Sequence, residues 1–291
     1  MSLLVPAPET VLSHDIADYP DGIVLPVDKP YRWTSADVIR KLKYAAVKHF
    51  RKKNLKVGHA GTLDPLATGV LLVCIGAACK RAQEFQDHDK EYEALVRFGA
   101  TTPSYDLEKE VDRSFPYGHV TEEAVRAVLP SFIGTQEQVA PLFSAKSVDG
   151  VRAYEMARRM YRNALKGIQD PDFDAAALEM LHHSTITIGN LELLEFRPAG
   201  TSASRGPADA LVAGTASSRI NVADTSSLGL PEARLRIACS KGTYIRALAR
   251  DLGEAVGSGA HLAGLVRTRT GDFRLADALS LDDALSLLGA E

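Results

Sequence analysis

Cysteine is scarce in this chain: Cys74, Cys79 and Cys239 are the three in 291 residues. An odd number without a CxxC spacing argues against a disulfide framework or a zinc site. Reduced, buried thiols in a cytoplasmic protein are expected instead. No run of about 18 apolar residues exists for a membrane span. The N-terminal stretch MSLLVPAPETVLSHD has no basic region leading into a long apolar segment, so no signal peptide is expected. A positive balance is missing too. The net charge of −3 gives no general attraction to nucleic acid, so any such partner must be met by a local patch. There is no regular βαβ period and no internal repeat. Strands and helices mixed in this way point to an α+β fold.

What is present divides into ordered and loose segments. Residues 1–21 read as a loose or edge-packed arm. Ile23–Val27 is a short apolar strand ended by Asp28-Lys29-Pro30. Thr34-Ser35 caps a helix with Val38, Ile39, Leu42 and Ala46 on one side. Val70–Ile75 is unbroken apolar and suits a strand buried on both faces. Glu91–Gly99 alternates, with Tyr92, Ala94, Val96 and Phe98 on one side, as a half-buried strand does. Short helices are expected at Thr121–Leu129 and Gly150–Met160, and a strand at Thr185–Phe196. Residues 197–232 are rich in Ala, Ser, Gly and Pro and read as a long, partly mobile insertion loop. Order resumes with a strand at Ala233–Cys239 and a helix opening at Thr243. Ser280-Leu281-Asp282-Asp283 looks like a capping box for a last helix. The expected organisation is therefore the arm and one domain over 22–291.

Chemistry concentrates in a few places. In VGHAGTLDPLATGVLLVCIGAAC, Val57 to Cys79, Asp64 is the single charged residue once the histidine is set aside. An unpaired carboxylate before a buried strand is costly. Glycines on either side let a ligand approach the backbone, and Pro65 fixes the turn. Such a carboxylate is placed for nucleophilic work, although an Asp beside Pro and Gly more often satisfies turn amides. In CSKGTYIRALARDLGEAVG, Lys241-Gly242 form a strand-to-helix turn and Arg246 follows early in the helix. A guanidinium there can hold a carboxylate ionised, or Arg246 and Arg250 can simply decorate a solvated face. Tyr92 can stack on a base or pack in the core. From Lys29 to Lys56 the cations are dense and Asp37 is the only acid. A charge run is usually a solvated helix face, but this one leads into the Asp64 loop, which points to phosphate binding. His59, between patch and loop, is either structural or able to push into a nucleic-acid stack.

With those residues in view, the chain resembles the TruB family of tRNA pseudouridine synthases. The resemblance rests on GHAGTLDPLATGVLLVCIG and on Asp28-Lys29-Pro30 with Trp33-Thr34-Ser35. It extends through DKEYEALVRFGATTPSYD from Asp89, PLFSAKSVDGVRAYEMAR from Pro141, and CSKGTYIRALARDLGEAVGSGAHLAGLVRT from Cys239. It implies the pseudouridine synthase fold: a central mixed, mostly antiparallel sheet flanked by helices and loops, with an active-site cleft across the sheet. It implies isomerisation of uridine 55 in the T-loop of tRNA, with no cofactor and no metal, by a monomer acting on the tRNA T-arm. By the resemblance Asp64 is the nucleophile, Arg246 its ion-pair partner and Tyr92 the residue stacked on uracil. His59 helps turn the nucleotide out, and Tyr244 and Leu265 line the pocket. Lys29 and Lys241 are carried over as substrate-binding residues.

The chain departs from the family pattern in four places. Arg32 stands where glycine is usual, so the turn is expected to differ or Arg32 to add a phosphate contact. Residues 161–183 are longer and less basic than the family's RNA-gripping segment. The 197–232 loop has no family counterpart, and no small C-terminal RNA-binding (PUA) domain is evident. Rival readings are a pseudouridine synthase of other RNA specificity, a non-catalytic tRNA-binding or folding module, and a carboxylate glycosidase or nucleosidase. The last would want a second acid near Asp64, and no comparable loop acid is evident.

Overall fold

The computed structural model describes residues 3–7, 9–141, 183–201 and 220–290, with Phe143, Ser147, Val148, Val151, Arg152, Arg159 and Asn163 between them. The helix expected at Gly150–Met160 and the 161–183 segment fall almost wholly outside these residues. In chain order the strands are β1 (Ile23–Lys29), β2 (Val57–Ala60), β3 (Ala67–Ile75), β4 (Lys90–Phe98), β5 (Ala100–Thr101), β6 (Arg113–Ser114) and β7 (Gly134–Val139). They continue with β8 (Ser147–Val148), β9 (Val151–Arg152), β10 (His183–Arg197), β11 (Glu232–Cys239), β12 (Ala260–Thr270) and β13 (Phe273–Arg274). The helices are α1 (Ser35–His49), α2 (Ala82–Asp87), α3 (Glu122–Val128), α4 (Ile245–Ala255) and α5 (Leu281–Leu287). The chain divides into two compact units. The first covers Met1–Glu93 and Gly264–Glu291 and includes Ile220; the second covers Ala94–Ser204 and Asn221–Ala263.

In the first unit β3 is the organising strand, with all nine residues buried. An unbroken apolar run suits this, because neither face meets water. β1 pairs antiparallel along one edge of β3, from Ile23 opposite Ile75 to Lys29 opposite Gly69. The other edge is shared: β12 pairs parallel at Ala67, Thr68 and Gly69, and β2 antiparallel from Leu72 to Ile75. The six-residue turn from β2 to β3 carries Asp64. α1 covers this sheet with Val38, Leu42, Ala45 and Ala46. Its start is fixed by a capping box: Thr34 accepts from the Asp37 amide at 3.0 Å, and Asp37 accepts from the Thr34 amide at 3.2 Å. Such caps contribute about 1 kcal/mol. The arm packs on the edge of β1, where Val24 N–H donates to the Leu4 carbonyl at 2.9 Å.

The second unit holds an antiparallel array in which β10 pairs with β11 on one side and β7 on the other. β10 is bulged where the register shifts between Ile188 and Asn190 and between Leu193 and Glu195. The helix expected from Thr243 begins at Ile245, with Tyr244 as its N-cap residue. β4 begins with the expected alternation, then becomes buried on both faces from Ala94. Arg97 makes this tolerable: its Nε donates to the Glu232 carboxylate at 2.6 Å and its Nη1 to Thr225 at 2.8 Å. Thr225 belongs to the 197–232 segment. The segment is described at 197–201 and 220–232, and the second stretch includes buried Ala223 and Leu230. The sheet pairings described are antiparallel apart from β3 with β12, so the mixed, mostly antiparallel arrangement expected from the sequence is present.

Candidate active site

Asp64 sits half-buried on the turn between β2 and β3. The turn is held from three directions. Ser35, the first residue of α1, bonds both backbone groups of Leu63: its hydroxyl accepts from the Leu63 amide at 3.0 Å and lies 3.2 Å from the Leu63 carbonyl. Lys29, at the end of β1, is fully buried, and its Nζ donates to the carbonyls of Pro30, Trp33 and Pro65 at 3.0, 2.7 and 3.3 Å. An ammonium has three protons, and these three acceptors account for them. Arg267 on β12 is 1% exposed; its Nε donates to the Val70 carbonyl at 2.7 Å and its Nη2 to the Gly61 carbonyl at 3.1 Å. One guanidinium thus ties the start of the Asp64 turn to the strand that follows it. Gly69, at φ +100°, lies directly against the Arg267 backbone, and a Cβ there would overlap it.

The electrostatics follow from this burial. Desolvation pushes Lys29 down to about 7, against which Asp64 and Asp28 act to keep it charged. Three carbonyl dipoles also favour the charged form, so Lys29 is an ammonium below neutral pH. His59 on β2 lies opposite Val73, and burial, followed by the field of Arg267, holds its imidazole below the usual range. Its Nδ1 makes no hydrogen bond. Leu265, 6% exposed, is paired with Ala67, so it stands beside the C-terminal end of the Asp64 turn. Tyr92 is 8% exposed on the part of β4 that belongs to the same unit.

Arg32 does not reach into solvent. It adopts φ +61°, donates its amide to the Pro65 carbonyl at 2.9 Å, and gives Nε and Nη2 to the Ile220 carbonyl at 3.1 and 2.7 Å. A left-handed conformation costs a non-glycine residue about 1–2 kcal/mol, and this bidentate contact offsets it. The φ is one that glycine adopts freely, and the guanidinium is engaged by protein.

Arg246, Tyr244 and Lys241 belong to the second unit. Arg246 is 5% exposed, so it does not decorate a solvated face. Its Nη1 donates to the Ser104 carbonyl at 3.0 Å and its Nη2 to the Phe143 carbonyl at 2.9 Å, and its Nε lies 3.7 Å from the Asp106 carboxylate. Asp106 is a site residue that sequence reasoning passed over. It is buried and accepts from the Ser104 hydroxyl at 2.6 Å and the Glu108 amide at 2.9 Å. The only local signal is Ser-Tyr-Asp, a short polar turn. Tyr244 is fixed by its backbone: Gln138 accepts from its amide at 2.8 Å and donates to its carbonyl at 3.1 Å. Lys241 is exposed on the strand-to-helix turn.

The description "TruB family pseudouridylate synthase (N terminal domain)" matches residues 48–170, and "tRNA pseudouridylate synthase B C-terminal domain" matches 246–289. A tRNA pseudouridine synthase B of Phocaeicola vulgatus is 46% identical over 91% of this chain and 92% of its own length. The chain belongs to the TruB family. Another TruB relative, a tRNA pseudouridine synthase B of Bacteroides thetaiotaomicron, is 47% identical over 90% of this chain and 91% of its own length. Among solved structures, a chain of a Cbf5–Nop10–Gar1 complex matches with a TM-score of 0.57 and 23% identity. It covers 96% of this chain and 57% of that one. A chain from an H/ACA RNP bound to a substrate RNA containing 2′-deoxyuridine matches with a TM-score of 0.54 and 22% identity, over 91% of this chain and 53% of that one. The TruB chain thus shares its fold with these proteins and spans little more than half their length. Among its described residues no helix is long and apolar enough to cross a membrane, and no group of three or more His, Cys, Asp and Glu could hold a metal ion.

Proposed function

We propose that the protein is a tRNA pseudouridine synthase that converts uridine to pseudouridine at position 55 of the T-loop, as a cytoplasmic monomer without metal or organic cofactor. The reaction breaks the bond from C1′ to N1, turns the uracil and joins C1′ to C5; the C5 proton is lost and N1 gains one. Asp64 is the nucleophile, acting at C1′ or on the 2′ proton, and needs a fixed cation to stay ionised and desolvated. Arg246 supplies that cation. Its Ser104 and Phe143 carbonyl partners favour this role, because they hold the guanidinium in one orientation before substrate arrives, while Asp106, 3.7 Å from Nε, offsets part of its charge. Lys29 adds positive potential from behind the turn. Tyr92 stacks on the uracil, Tyr244 and Leu265 enclose it, His59 fills the place of the flipped nucleotide, and Lys241 meets the RNA backbone.

The observation that carries the reading is the anchoring of the Asp64 turn by Ser35, Lys29 and Arg267, in a chain 46% identical to a named tRNA pseudouridine synthase B. Unmodified tRNA incubated with Asp64→Asn is expected to yield no pseudouridine while tRNA binding survives. Full activity in that variant would remove Asp64 from the nucleophile role. Arg246→Ala is expected to lower turnover more than affinity; equal losses would make it a binding residue.

A further inference from the structure

The site leaves most of the basic run unused. Eight exposed cations lie between Arg40 and Lys56, in a chain whose net charge is −3. Asp37 is the one carboxylate in the run, and it is committed to Arg40 at 3.0 Å. Lys41, Tyr44 and Lys48 follow one another at i, i+3 and i+7, so they share one face of α1, away from buried Val38, Leu42 and Ala45. Tyr44 is 68% exposed. Lys48 Nζ stands 5.2 Å from the centre of its ring, and Lys41 Nζ 5.5 Å from that of Trp33. The Trp33 end of the stripe is joined to the Asp64 turn through Lys29. Trp33 shares Lys29 with Pro65, and the next helix residue, Ser35, bonds Leu63.

Ordinary helix physics accounts for part of this only. Cations in the last turn, such as Lys48, complement the helix dipole, but that effect fades within a turn and does not reach Lys41 or Lys43. A merely solvated face would intersperse acids at i, i+4 spacing, which stabilise a helix, whereas like charges destabilise it. The helix end shows the same bias. Arg51 adopts φ +50° where the chain leaves α1, with Arg51 N–H bonded to the Lys48 carbonyl and Lys52 N–H to the Val47 carbonyl, each at 3.3 Å. That is the double-bonded helix termination in which glycine is favoured, and an arginine occupies it.

We infer that the outer face of α1, from Trp33 through Lys41, Tyr44 and Lys48 to Lys52, is an RNA-docking stripe that delivers a strand to the Asp64 turn. It rests on the proposed RNA-modifying function and assigns a surface to it. α1 is about 22 Å long at 1.5 Å per residue, so the stripe meets several successive nucleotides. The lysines take phosphates, and Tyr44 offers a ring on which a base stacks. Cations interleaved with an exposed aromatic fit a nucleic-acid strand, while a carboxylate-rich protein partner would leave the ring without a role.

The test uses the full chain with a T-arm hairpin RNA, measuring Kd across a NaCl series and pseudouridine formed at saturating RNA. The variants are Lys41→Gln/Lys48→Gln/Lys52→Gln and Tyr44→Ala. The control Lys80→Gln/Arg126→Gln/Arg274→Gln removes equal charge from other exposed positions. The triple stripe variant is expected to raise Kd about tenfold or more and to make the log–log salt slope shallower by about 2. Tyr44→Ala is expected to raise Kd about fivefold or more with the slope unchanged. Turnover at saturation should be preserved in both, and circular dichroism verifies that they fold. Wild-type Kd and slope in the stripe variants, or an equal loss in the control, overturns the inference. So does unchanged RNA binding accompanied by loss of binding to phosphatidylserine-containing vesicles, which would make the stripe a membrane surface. If wild-type protein binds the hairpin through the stripe but forms no pseudouridine, the functional reading fails and the stripe stands.

Discussion

Lys29 and Arg267 in the first unit are at least as buried as Arg97 in the second, at 0%, 1% and 5% exposure, yet their charges are met differently. Among the described residues Lys29 and Arg267 form no ion pair, and backbone carbonyls accept their hydrogen bonds. Arg97 is neutralised directly by Glu232 at 2.6 Å. Carbonyl dipoles satisfy a donor without cancelling its charge, so the field of Lys29 and Arg267 persists through a poorly screening interior. Lys29 and Asp64 interact across that interior, and His59 feels Arg267. Around Arg97 the fields offset each other: at His261, Arg97 and Glu232 act with opposite sign. The first arrangement spends stability to keep a positive potential behind the Asp64 turn. The second is a structural brace.

Four variants put this contrast under strain. The largest effect is expected from Arg97→Met, which strands a buried carboxylate and should cost about 3–5 kcal/mol in denaturant unfolding. Adding Glu232→Leu should recover most of it. Turnover per folded molecule should not change, and a matching fall in turnover would dissolve the distinction between brace and site.

Next comes the acid sensitivity of the brace. His261 is fully buried and held down to about 4, first by burial and then by Arg97, although its contact with the Ala100 carbonyl opposes this. The folded pKa lies below the unfolded value, so the unfolded chain binds the extra proton between about pH 6.5 and 4. Stability is therefore complete above pH 6.5 and falls as pH drops toward 4, by up to about 3 kcal/mol. His261→Gln should flatten the unfolding curve in that window, and an unchanged slope would show that His261 is not its source.

Lys29→Met tests the field itself. Turnover is expected to fall about 10²-fold with a smaller change in KM, as for loss of one preorganised electrostatic group. A variant that folds and turns over normally would reduce Lys29 to a prop. The smallest effect is expected for Arg267→Lys, which keeps the charge and loses the two-armed grip on Gly61 and Val70. About tenfold in turnover, with KM nearly constant, would mark it as a positioning residue. A loss as deep as that of Arg267→Met would mean that charge alone is unimportant there.

Local signals were legible without coordinates. The helix cap at Thr34, the fully buried β3 and the Asp64 turn follow from nearest neighbours and periodicity. Arg267 was not legible. In ArgThrArgThr it alternates with Arg269 and reads like one of two equivalent surface cations. Yet Arg267 is 1% exposed and Arg269 is half-buried. Arg246 was ambiguous for the same reason, since Arg250 lies one turn away. The difference is made by Asp106, 140 residues earlier in the chain, and no spacing rule connects them.

The order of the amino acids was enough to say where the turns, caps and apolar strands lie and to point to Asp64. It did so because those choices depend on a few adjacent residues. Which charges are buried, and whether a carboxylate or a carbonyl receives each one, was decided only by folding. Desolvation depends on everything packed around a group, and the partners of Arg97, Arg246 and Arg267 come from distant parts of the chain.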